Sequence, residues 1–412
     1  MGEPRIMSFN KLLKHLLEHP KSLQDAYSAL STSNNGLPGK WERVVLGKSG
    51  GGNPIVAYER RAGSEDPKIL VIAGQHGNEP AGMAACYALI LLDSLYREVL
   101  PPRFWRFKET HVNLYVVPVA NPDGLYNYLQ CIEKDSTPYW YNTCPNARYN
   151  SRSADINRDW LYLTQPETKA LHSYVSRIEP DMVLDLHEFY ASKGSPPKWS
   201  IETEGFDTTL TDAPYAMVDE KVSLISTKTM NYIVSILERI MGRKIRERHF
   251  TGSDKPYPPP DILGAHLPLE YYPKILVETW GVGLHGFLWR ERVLTHLIAI
   301  LSTVEYLDMH REQIYDLREH IHGLNSIDPD YLYIVDCGDL CGDISSFLNI
   351  HGVNHDLNGN EIRVYPRGRS RIIADLLFDP THPYNVVLEK NGYGQRTLDL
   401  LYPCVCFKKQ SL

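Results

Sequence analysis

The chain is long enough for a full-sized core and one or two further small domains, because its 412 residues exceed the ~100–200 of a typical domain. Hydrophobic residues make up 43%, charged residues 23%, and the net charge is −7. This ordinary, slightly acidic composition offers no broad attraction to phosphate, so we expect no nucleic-acid partner. The sequence contains no run of about 18 apolar residues, the length needed to span a bilayer, and the N-terminus lacks the apolar core of a signal peptide. We therefore expect no membrane partner and a cytoplasmic location.

The cysteines predict buried thiols. Seven in a chain of this length lack the dense, regular spacing of a disulfide framework. A zinc site built from Cys337, Cys341, Cys404 and Cys406 would need a fold that brings the four together, and free cysteine more often packs as a small hydrophobe.

The first elements in chain order form an N-terminal helical extension over residues 1–40. Two strands follow at 41–46 and 55–60, separated by the glycine-rich run KSGGGN. A phosphate-binding loop of this kind would lead into a helix, whereas a strand follows here. The run therefore predicts a hairpin turn.

Strand-like and helical segments then alternate, which predicts an α/β fold with a mixed, mostly parallel central sheet and helices on both faces. The strands are expected at 68–73, 112–118, 182–187 and 275–280, and the helices at 81–98, 165–178, 219–241 and 290–320. The first predicted domain covers 1–320. Residues 328–412 carry short β-type runs, including YLYIV, EIRVY, RIIADLLF and YPCVCF, and predict a separate small β domain of unknown role.

Two ionisable residues follow the strand KILVIA. His76 and Glu79 are spaced as His-x-x-Glu, a spacing that suits two ligands of one zinc ion. His187 ends the strand MVLDLH in the same way and is a candidate third ligand, because active sites of open α/β sheets lie at the carboxyl ends of the strands. Taken alone, His187 is better explained as a capped strand-end histidine, because histidine has many uses.

Three further motifs each have a structural alternative. The sequence NPDG at 121–124 is a good turn. Asn157 and Arg158 pair an amide with a guanidinium that fits a carboxylate, although such pairs are common. Glu278 lies within the apolar strand ILVETW, where it is either half of a buried ion pair or a general base.

In this order the motifs resemble the zinc carboxypeptidase family typified by carboxypeptidase A. They are HGNE, NPDG, an arginine before Asp-x-Asn-Arg, a strand-end histidine and a strand glutamate. The resemblance covers residues 40–300, and the runs VVLGKSGGGNPIVAY and QPETKAL agree with it. Arg148 lies nine residues before Asn157, as in the cytosolic carboxypeptidase-like branch, with Tyr149 where that branch has cysteine.

The resemblance implies a role for each matching residue. His76, Glu79 and His187 would bind one Zn²⁺ per chain, a ligand set the family is known for. Glu278 and Arg148 would be catalytic, with Arg152 as the competing arginine. The remaining substrate-binding residues would be Asn157, Arg158 and Tyr257, with Tyr271 and Tyr272 as alternatives to Tyr257.

The implied function is a zinc metallocarboxypeptidase that hydrolyses the C-terminal amide bond of a peptide, with a zinc-bound water activated by Glu278. Its partner would be a peptide or peptide-like substrate with a free C-terminal carboxylate. Residues 263–266 should form the floor of the specificity pocket and contain no Asp or Arg, which favours a neutral or apolar C-terminal residue. Glu188, next to His187, could orient a ligand or repel an acidic substrate.

Three other functions are alternatives. A deacylase of N-acyl amino acids, of the succinylglutamate desuccinylase or aspartoacylase type, shares HGNE and Asp-Leu-Asn-Arg. A murein-peptide amidase is a variant of the peptidase hypothesis. A non-catalytic binding protein on the same fold would not need all the inferred ligands and the base.

Overall fold

The computed structural model describes most of the chain. The described residues are 8–32, 37–38, 40–92, 96–134, 142–190, 208–212, 218–242, 244–248, 261–379, 382 and 406–411.

An eight-stranded mixed sheet forms the centre of the molecule. Its strands are β1 (Glu42–Lys48), β2 (Pro54–Arg60), β3 (Lys68–Ala73), β4 (Asn113–Val117), β5 (Met182–Tyr190), β6 (Thr208–Thr211), β7 (Arg246–Arg248) and β8 (Lys274–Val282). The strand order is β1-β2-β4-β3-β5-β8-β6-β7. Strands β4, β3, β5 and β8 are mutually parallel, and β1, β2 and β6 join antiparallel. The predicted α/β fold with a mostly parallel centre is confirmed.

Helices cover both faces of this sheet. They are α1 (Phe9–Leu16), α2 (Leu23–Tyr27), α3 (Pro80–Leu91), α4 (Tyr96–Val99), α5 (Pro122–Lys134), α6 (Pro166–Ile178), α7 (Glu220–Met241), α8 (Leu263–Leu269), α9 (Trp289–Met309) and α10 (Arg311–Asn325). Successive side chains of β3 pack into two different hydrophobic cores, because successive residues of a strand point to opposite faces of the sheet. Ile69 and Val71 belong to the core that contains α3 and α9. Leu70 and Ile72 belong to the core that contains α6.

Helix α3 is buried on every side. Its many small residues let it approach the sheet closely, and a Cβ on Gly82 would lie 2.8 Å from Leu186 Cβ on β5. The apolar sequence PAGMAACYALIL therefore reflects a helix sandwiched between layers, since a helix that is hydrophobic all round is buried.

The C-terminal part contains a second, smaller sheet. Its elements are β9 (Tyr331–Asp336), α11 (Cys341–Ile350), β10 (Asn354–Asn358), β11 (Glu361–Tyr365), α12 (Arg371–Phe378) and β12 (Cys406–Ser411), and the antiparallel strand order is β10-β11-β9-β12. The small antiparallel sheet was predicted, but the interpretation of RIIADLLF as a strand was wrong, because this run is α12. The boundary between 1–320 and 328–412 stays a prediction.

Two further predictions need correction. The helix predicted over 290–320 is interrupted at His310, so that α9 and α10 are separate helices. Four cysteines predicted as thiols form disulfide bonds, Cys131–Cys144 and Cys337–Cys341, whereas Cys86 is a buried thiol. Within the described ranges, every helix is too short or too polar to cross a lipid bilayer.

Candidate metal centre and substrate cleft

Parallel strand register brings the predicted ligands to one edge of the sheet. Ala73 at the end of β3 is level with Leu186 on β5, and His187 on β5 is level with Glu278 on β8. The chain turns at Gly74, whose φ of 68° favours glycine, and then presents His76. The three strands thus deliver a histidine, a second histidine and a glutamate to the same place.

His76, Glu79 and His187 form a compact buried cluster. Nδ1 of His76 lies 2.8 Å from Glu79 Oε1, and Nδ1 of His187 lies 2.7 Å from Glu79 Oε2. The candidate ligand atoms of all three lie within 4.8 Å of one another. Burial alone would raise the pKa of Glu79, but the two imidazoles outweigh it and hold that pKa well below its usual range. Two imidazole nitrogens and an ionised carboxylate suit zinc.

A second carboxylate fixes the orientation of each histidine. Nε2 of His76 lies 3.0 Å from Asp155 Oδ1, and Nε2 of His187 lies 2.9 Å from Asp185 Oδ1. Gln75 Nε2 also donates to Asp185 Oδ1 at 2.9 Å. Metal-binding histidines commonly use their second nitrogen in this way. Both Nδ1 atoms are therefore directed at Glu79, as one metal ion between them would require.

Sequence reasoning missed the role of Asp185 and Gln75. Asp185 had a usable signal, because it precedes His187 by two residues in a strand and so lies on the same face. Gln75 had none beyond its position next to His76.

The HGNE loop packs directly against the backbone of NPDG. A Cβ on Gly77 would lie 2.0 Å from the carbonyl carbon of Gly124. Gly124 belongs to NPDG, which was predicted as a connecting turn but is the first helical turn of α5. The Gly77 N–H donates to the Ala147 carbonyl at 2.8 Å, and Asn121 Nδ2 donates to the Gln75 carbonyl at 3.3 Å. NPDG is therefore a platform for the loop that carries the ligands.

The glycine-rich run forms a hairpin turn, as predicted, since β1 and β2 pair antiparallel up to Lys48 and Pro54. Asp123 of NPDG holds this hairpin. Its carboxylate accepts hydrogen bonds from Ser49 Oγ, the Gly51 N–H and Asn53 Nδ2.

Arg148 lies beside the cluster. Its Nε donates to Asp155 Oδ2 at 2.9 Å, and its Nη1 lies 3.5 Å from Glu79 Oε1. The side chain is 19% exposed, so it can reach a substrate in the cleft. Arg152, the competing arginine, is exposed and is not among the residues that line the cleft.

Asn157 and Arg158 lie next to each other on the wall of the cleft. The Asn157 Oδ1 accepts the Leu263 N–H at 3.0 Å, and its Nδ2 lies 3.5 Å from His187 Nε2. Arg158 donates through Nη1 to the Asn157 carbonyl at 2.7 Å and is otherwise exposed. An exposed guanidinium beside a fixed amide can receive a carboxylate.

Glu278 lines the cleft from β8, next to His187. Burial raises the pKa of its carboxyl group, the nearby Glu79 adds to this, and His187 opposes it. A carboxylate with a raised pKa accepts a proton more readily near neutral pH.

The cleft has a volume of about 280 Å³ and is more charged than the sequence predicted. Ile262 and Gly264 line it, but Leu263 and His266 do not. Asp212 and Lys274 line it too and are buried. The expectation of a pocket floor formed by residues 263–266 without charge therefore needs correction, because β6 and β8 supply charged side chains that counting along the chain could not place.

The tyrosines proposed to bind substrate differ in their positions relative to the cleft. Tyr257 lies outside the described residues. Tyr271 and Tyr272 are buried and do not line the cleft. Tyr190, at the end of β5, lines the cleft and is 41% exposed, a position that sequence reasoning missed.

Glu188 is part of a buried ion pair. Its Oε1 lies 2.7 Å from Arg292 Nη1 and also accepts from Thr279 Oγ1 at 3.1 Å. Its backbone N–H donates to Glu79 Oε2 at 2.9 Å. Glu188 thus orients a ligand through its backbone, and its side chain links β5 to α9.

Comparison with known proteins relates this geometry to one family. A family model described as zinc carboxypeptidase matches residues 26–244, more than half of the 412 residues. The matched range ends before β8, so it does not include Glu278.

Sequence relatives are distant and longer. Carboxypeptidase 2 of Trichophyton tonsurans is 27% identical over 269 residues, which cover 61% of this chain and 44% of that protein. Carboxypeptidase D of Rattus norvegicus is 34% identical over 108 residues, which cover 26% of this chain and 7% of that protein. The chain thus spans less than half the length of either relative.

One solved structure supports the fold, and a second is reported for comparison. Thrombin-activatable fibrinolysis inhibitor matches with a TM-score of 0.51 and 17% identity, covering 75% of this chain and 78% of that one. A metallo-carboxypeptidase from Burkholderia cenocepacia has a TM-score of 0.49 and 17% identity, with 68% of each chain covered. With the family model matched over more than half of its length, this chain belongs to the zinc carboxypeptidase family.

Proposed function

We propose that the protein is a zinc-dependent metallocarboxypeptidase that hydrolyses the C-terminal amide bond of a peptide. One observation carries the proposal. A single cleft holds the His76, Glu79 and His187 cluster, the carboxylate of Glu278 and the cations of Arg148 and Arg158. One zinc ion at the cluster is part of the proposal.

Each residue would act through its own chemistry. A bound zinc ion supplies a Lewis acid and lowers the pKa of a water toward 7. Glu278 takes a proton from the attacking water and passes it to the leaving amine. Arg148 donates hydrogen bonds to the oxyanion that develops at the scissile carbonyl, and a lost donor of this kind typically costs about 3–4 kcal/mol of transition-state stabilisation.

The substrate is held by its end. Arg158 and the Nδ2 of Asn157 would bind the C-terminal carboxylate, which places the last amide bond beside the metal cluster. Because this recognition needs a free carboxylate, the protein would remove residues from the end of a peptide and not cleave within it. Tyr257 as a substrate-capping residue stays a prediction, and Tyr190 is an additional candidate.

The test is hydrolysis of a library of peptides that vary in the C-terminal residue, followed by mass spectrometry. We expect loss of single C-terminal residues, abolition by chelation and recovery with zinc. Glu278→Gln should retain zinc and lose turnover, while the matched control Arg152→Gln should keep the activity. Hydrolysis of N-acyl amino acids in the absence of peptide hydrolysis would instead establish the deacylase alternative.

A cytoplasmic location is the sequence-based proposal, and the two disulfides bear on it. Disulfides persist in oxidising compartments and are rare in the cytosol. If the cytoplasmic proposal is right, denatured protein from intact cells should react with a thiol probe at Cys131, Cys144, Cys337 and Cys341. Protection of these four thiols before reduction would refute it.

A further inference from the structure

A second cluster of potential metal ligands lies outside the cleft. His172 comes from α6, His266 from α8, Glu270 follows the last residue of α8, and His351 follows the last residue of α11. Their candidate ligand atoms lie within 4.8 Å of one another, and all four residues are at most 2% exposed. None of the four is among the residues that line the catalytic cleft.

Hydrogen bonding within the protein leaves this cluster unsatisfied. His172 Nε2 lies 3.1 Å from Glu270 Oε1, and His266 Nε2 lies 3.5 Å from the same oxygen. Among the described residues, Nδ1 of His172, Nδ1 of His266 and both ring nitrogens of His351 have no hydrogen-bond partner. Buried polar atoms nearly always have one. The three rings surround a single carboxylate, with centroids 5.5–5.7 Å apart.

We propose that His172, His266, Glu270 and His351 bind one zinc ion as a closed, four-coordinate structural site. Three imidazole nitrogens and one carboxylate oxygen complete a tetrahedral set, which leaves no open position for a substrate or a reactive water. The ion would satisfy one nitrogen of each buried ring.

This site would connect the two parts of the molecule. Three ligands come from the catalytic part and the fourth from the C-terminal part, so one ion would hold α6, α8 and the end of α11 together. Its effect would reach the cleft, because α8 begins at Leu263, whose N–H donates to Asn157 Oδ1. The proposal does not depend on the peptidase function, since it concerns metal content and stability.

Trp160 lies between the two clusters. Its ring centroid is 6.5 Å from that of His172 and 6.4 Å from that of His266. Its Nε1–H donates to Gln75 Oε1 at 2.9 Å, and Gln75 Nε2 lies 3.2 Å from His187 Nε2. The two clusters are therefore separate, and the buried side chains of Trp160 and Gln75 connect them.

The experiment measures metal per chain by inductively coupled plasma mass spectrometry after zinc loading and removal of free ions. We expect two zinc ions in the wild type and one in the double variant His76→Ala with His187→Ala. His351→Leu should also hold one, and the control His322→Leu, at an exposed position, should hold two.

The double variant decides the proposal even if His351→Leu fails to fold. Retention of one zinc, with its thermal unfolding midpoint lowered by chelation, supports a second site. A double variant free of zinc, or with another metal in its place, overturns the assignment. As an independent readout, cobalt added to this variant should give the intense absorption of tetrahedral coordination, and absorption typical of octahedral coordination would contradict a closed site.

Discussion

At the scale of single residues, the candidate metal centre depends on the carboxylates that contact its two histidines. Asp155 and Asp185 each accept from a histidine of the cluster, and both imidazoles are thereby directed at Glu79. Burial would lower the pKa of His187, but Asp185 and Glu79 outweigh it and raise that pKa well above its usual value. The carboxylates of Asp155 and Asp185 thus set the orientation of the two candidate histidine ligands.

Asp185→Asn tests this positioning role. The variant keeps the shape of the side chain but removes the charge opposite His187, so we expect zinc affinity at the catalytic cluster to fall roughly 10–100-fold. Competition with a chelator of known affinity measures the change, and circular dichroism should show an unchanged fold. Unaltered zinc affinity would mean that Gln75 alone orients the ring.

Asp261 provides a pH-dependent prediction. Burial raises the pKa of its carboxyl group from 3.8 to about 6, Asp155 and Asp159 contribute, and Arg158 opposes. Because the folded state binds the proton more tightly than the unfolded state, ionisation costs stability as the pH rises from about 4 to about 6. Asp261→Asn escapes this cost and should be more stable than the wild type above that window, by on the order of 2 kcal/mol.

Denaturant unfolding of both proteins from pH 4.5 to 7.5 measures this effect. The difference in free energy of unfolding should grow with pH and level off above about 6, where the folded-state pKa lies. A difference that does not change with pH would contradict a raised pKa at Asp261.

At the scale of elements, the ligand loop is held by backbone packing. The HGNE loop approaches NPDG so closely that Gly77 has no room for a side chain, and Gly124 has none because a Cβ there would meet the Ala147 carbonyl and Asn121. The two sequence motifs are therefore related by direct contact. NPDG supports the loop that contains the candidate ligands His76 and Glu79.

Gly77→Ala should therefore be strongly destabilising. The new methyl group would overlap backbone atoms of Gly124, which cannot rotate away, so we expect a loss of roughly 3 kcal/mol in the free energy of unfolding. Gly323→Ala in α10 is the matched control, because a Cβ there meets nothing within 4 Å. That control should be neutral or stabilise by up to about 1 kcal/mol, as alanine favours helix. Equal effects of the two variants would refute the steric argument.

The secondary-structure elements also show how much of the fold and of the candidate site could be predicted from the sequence. His76 and His187 were proposed as ligands because each follows or ends an apolar strand, and Glu278 was proposed because it lies within one. Each signal is weak alone, so the prediction depended on all the motifs occurring in one order. RIIADLLF was assigned to the wrong element, since short apolar runs do not distinguish strand from helix without their surroundings. The second cluster was missed because its members come from three elements, and only His266 and Glu270 share a local spacing.

At the scale of the whole molecule, the C-terminal part is continuous with the rest of the fold. Ile344 and Leu348 of α11 belong to the same apolar core as Leu317 and Ile321 of α10. The sequence predicted a separate domain from the change in composition after residue 328. Composition describes which elements form, but it does not report what they pack against.

Removal of residues 328–412 tests whether the catalytic part is independent. We expect the shortened chain to aggregate or to unfold at a clearly lower temperature, because the deletion exposes core side chains and removes His351. Size-exclusion chromatography and thermal unfolding check this. A monomeric shortened chain with an unchanged midpoint would establish the predicted domain boundary.

The pairing of His187 with Glu278 across β5 and β8 has a consequence for how the protein can diversify. A shift of either strand by one residue would turn its ionisable group to the opposite face of the sheet, so the register of both strands must be kept for His187 and Glu278 to share the cleft. Asp212 and Ile262 also line the cleft but are under no such restriction, since each lies in a segment between elements. Substrate preference can therefore drift across descendants of this chain while the reaction itself stays the same.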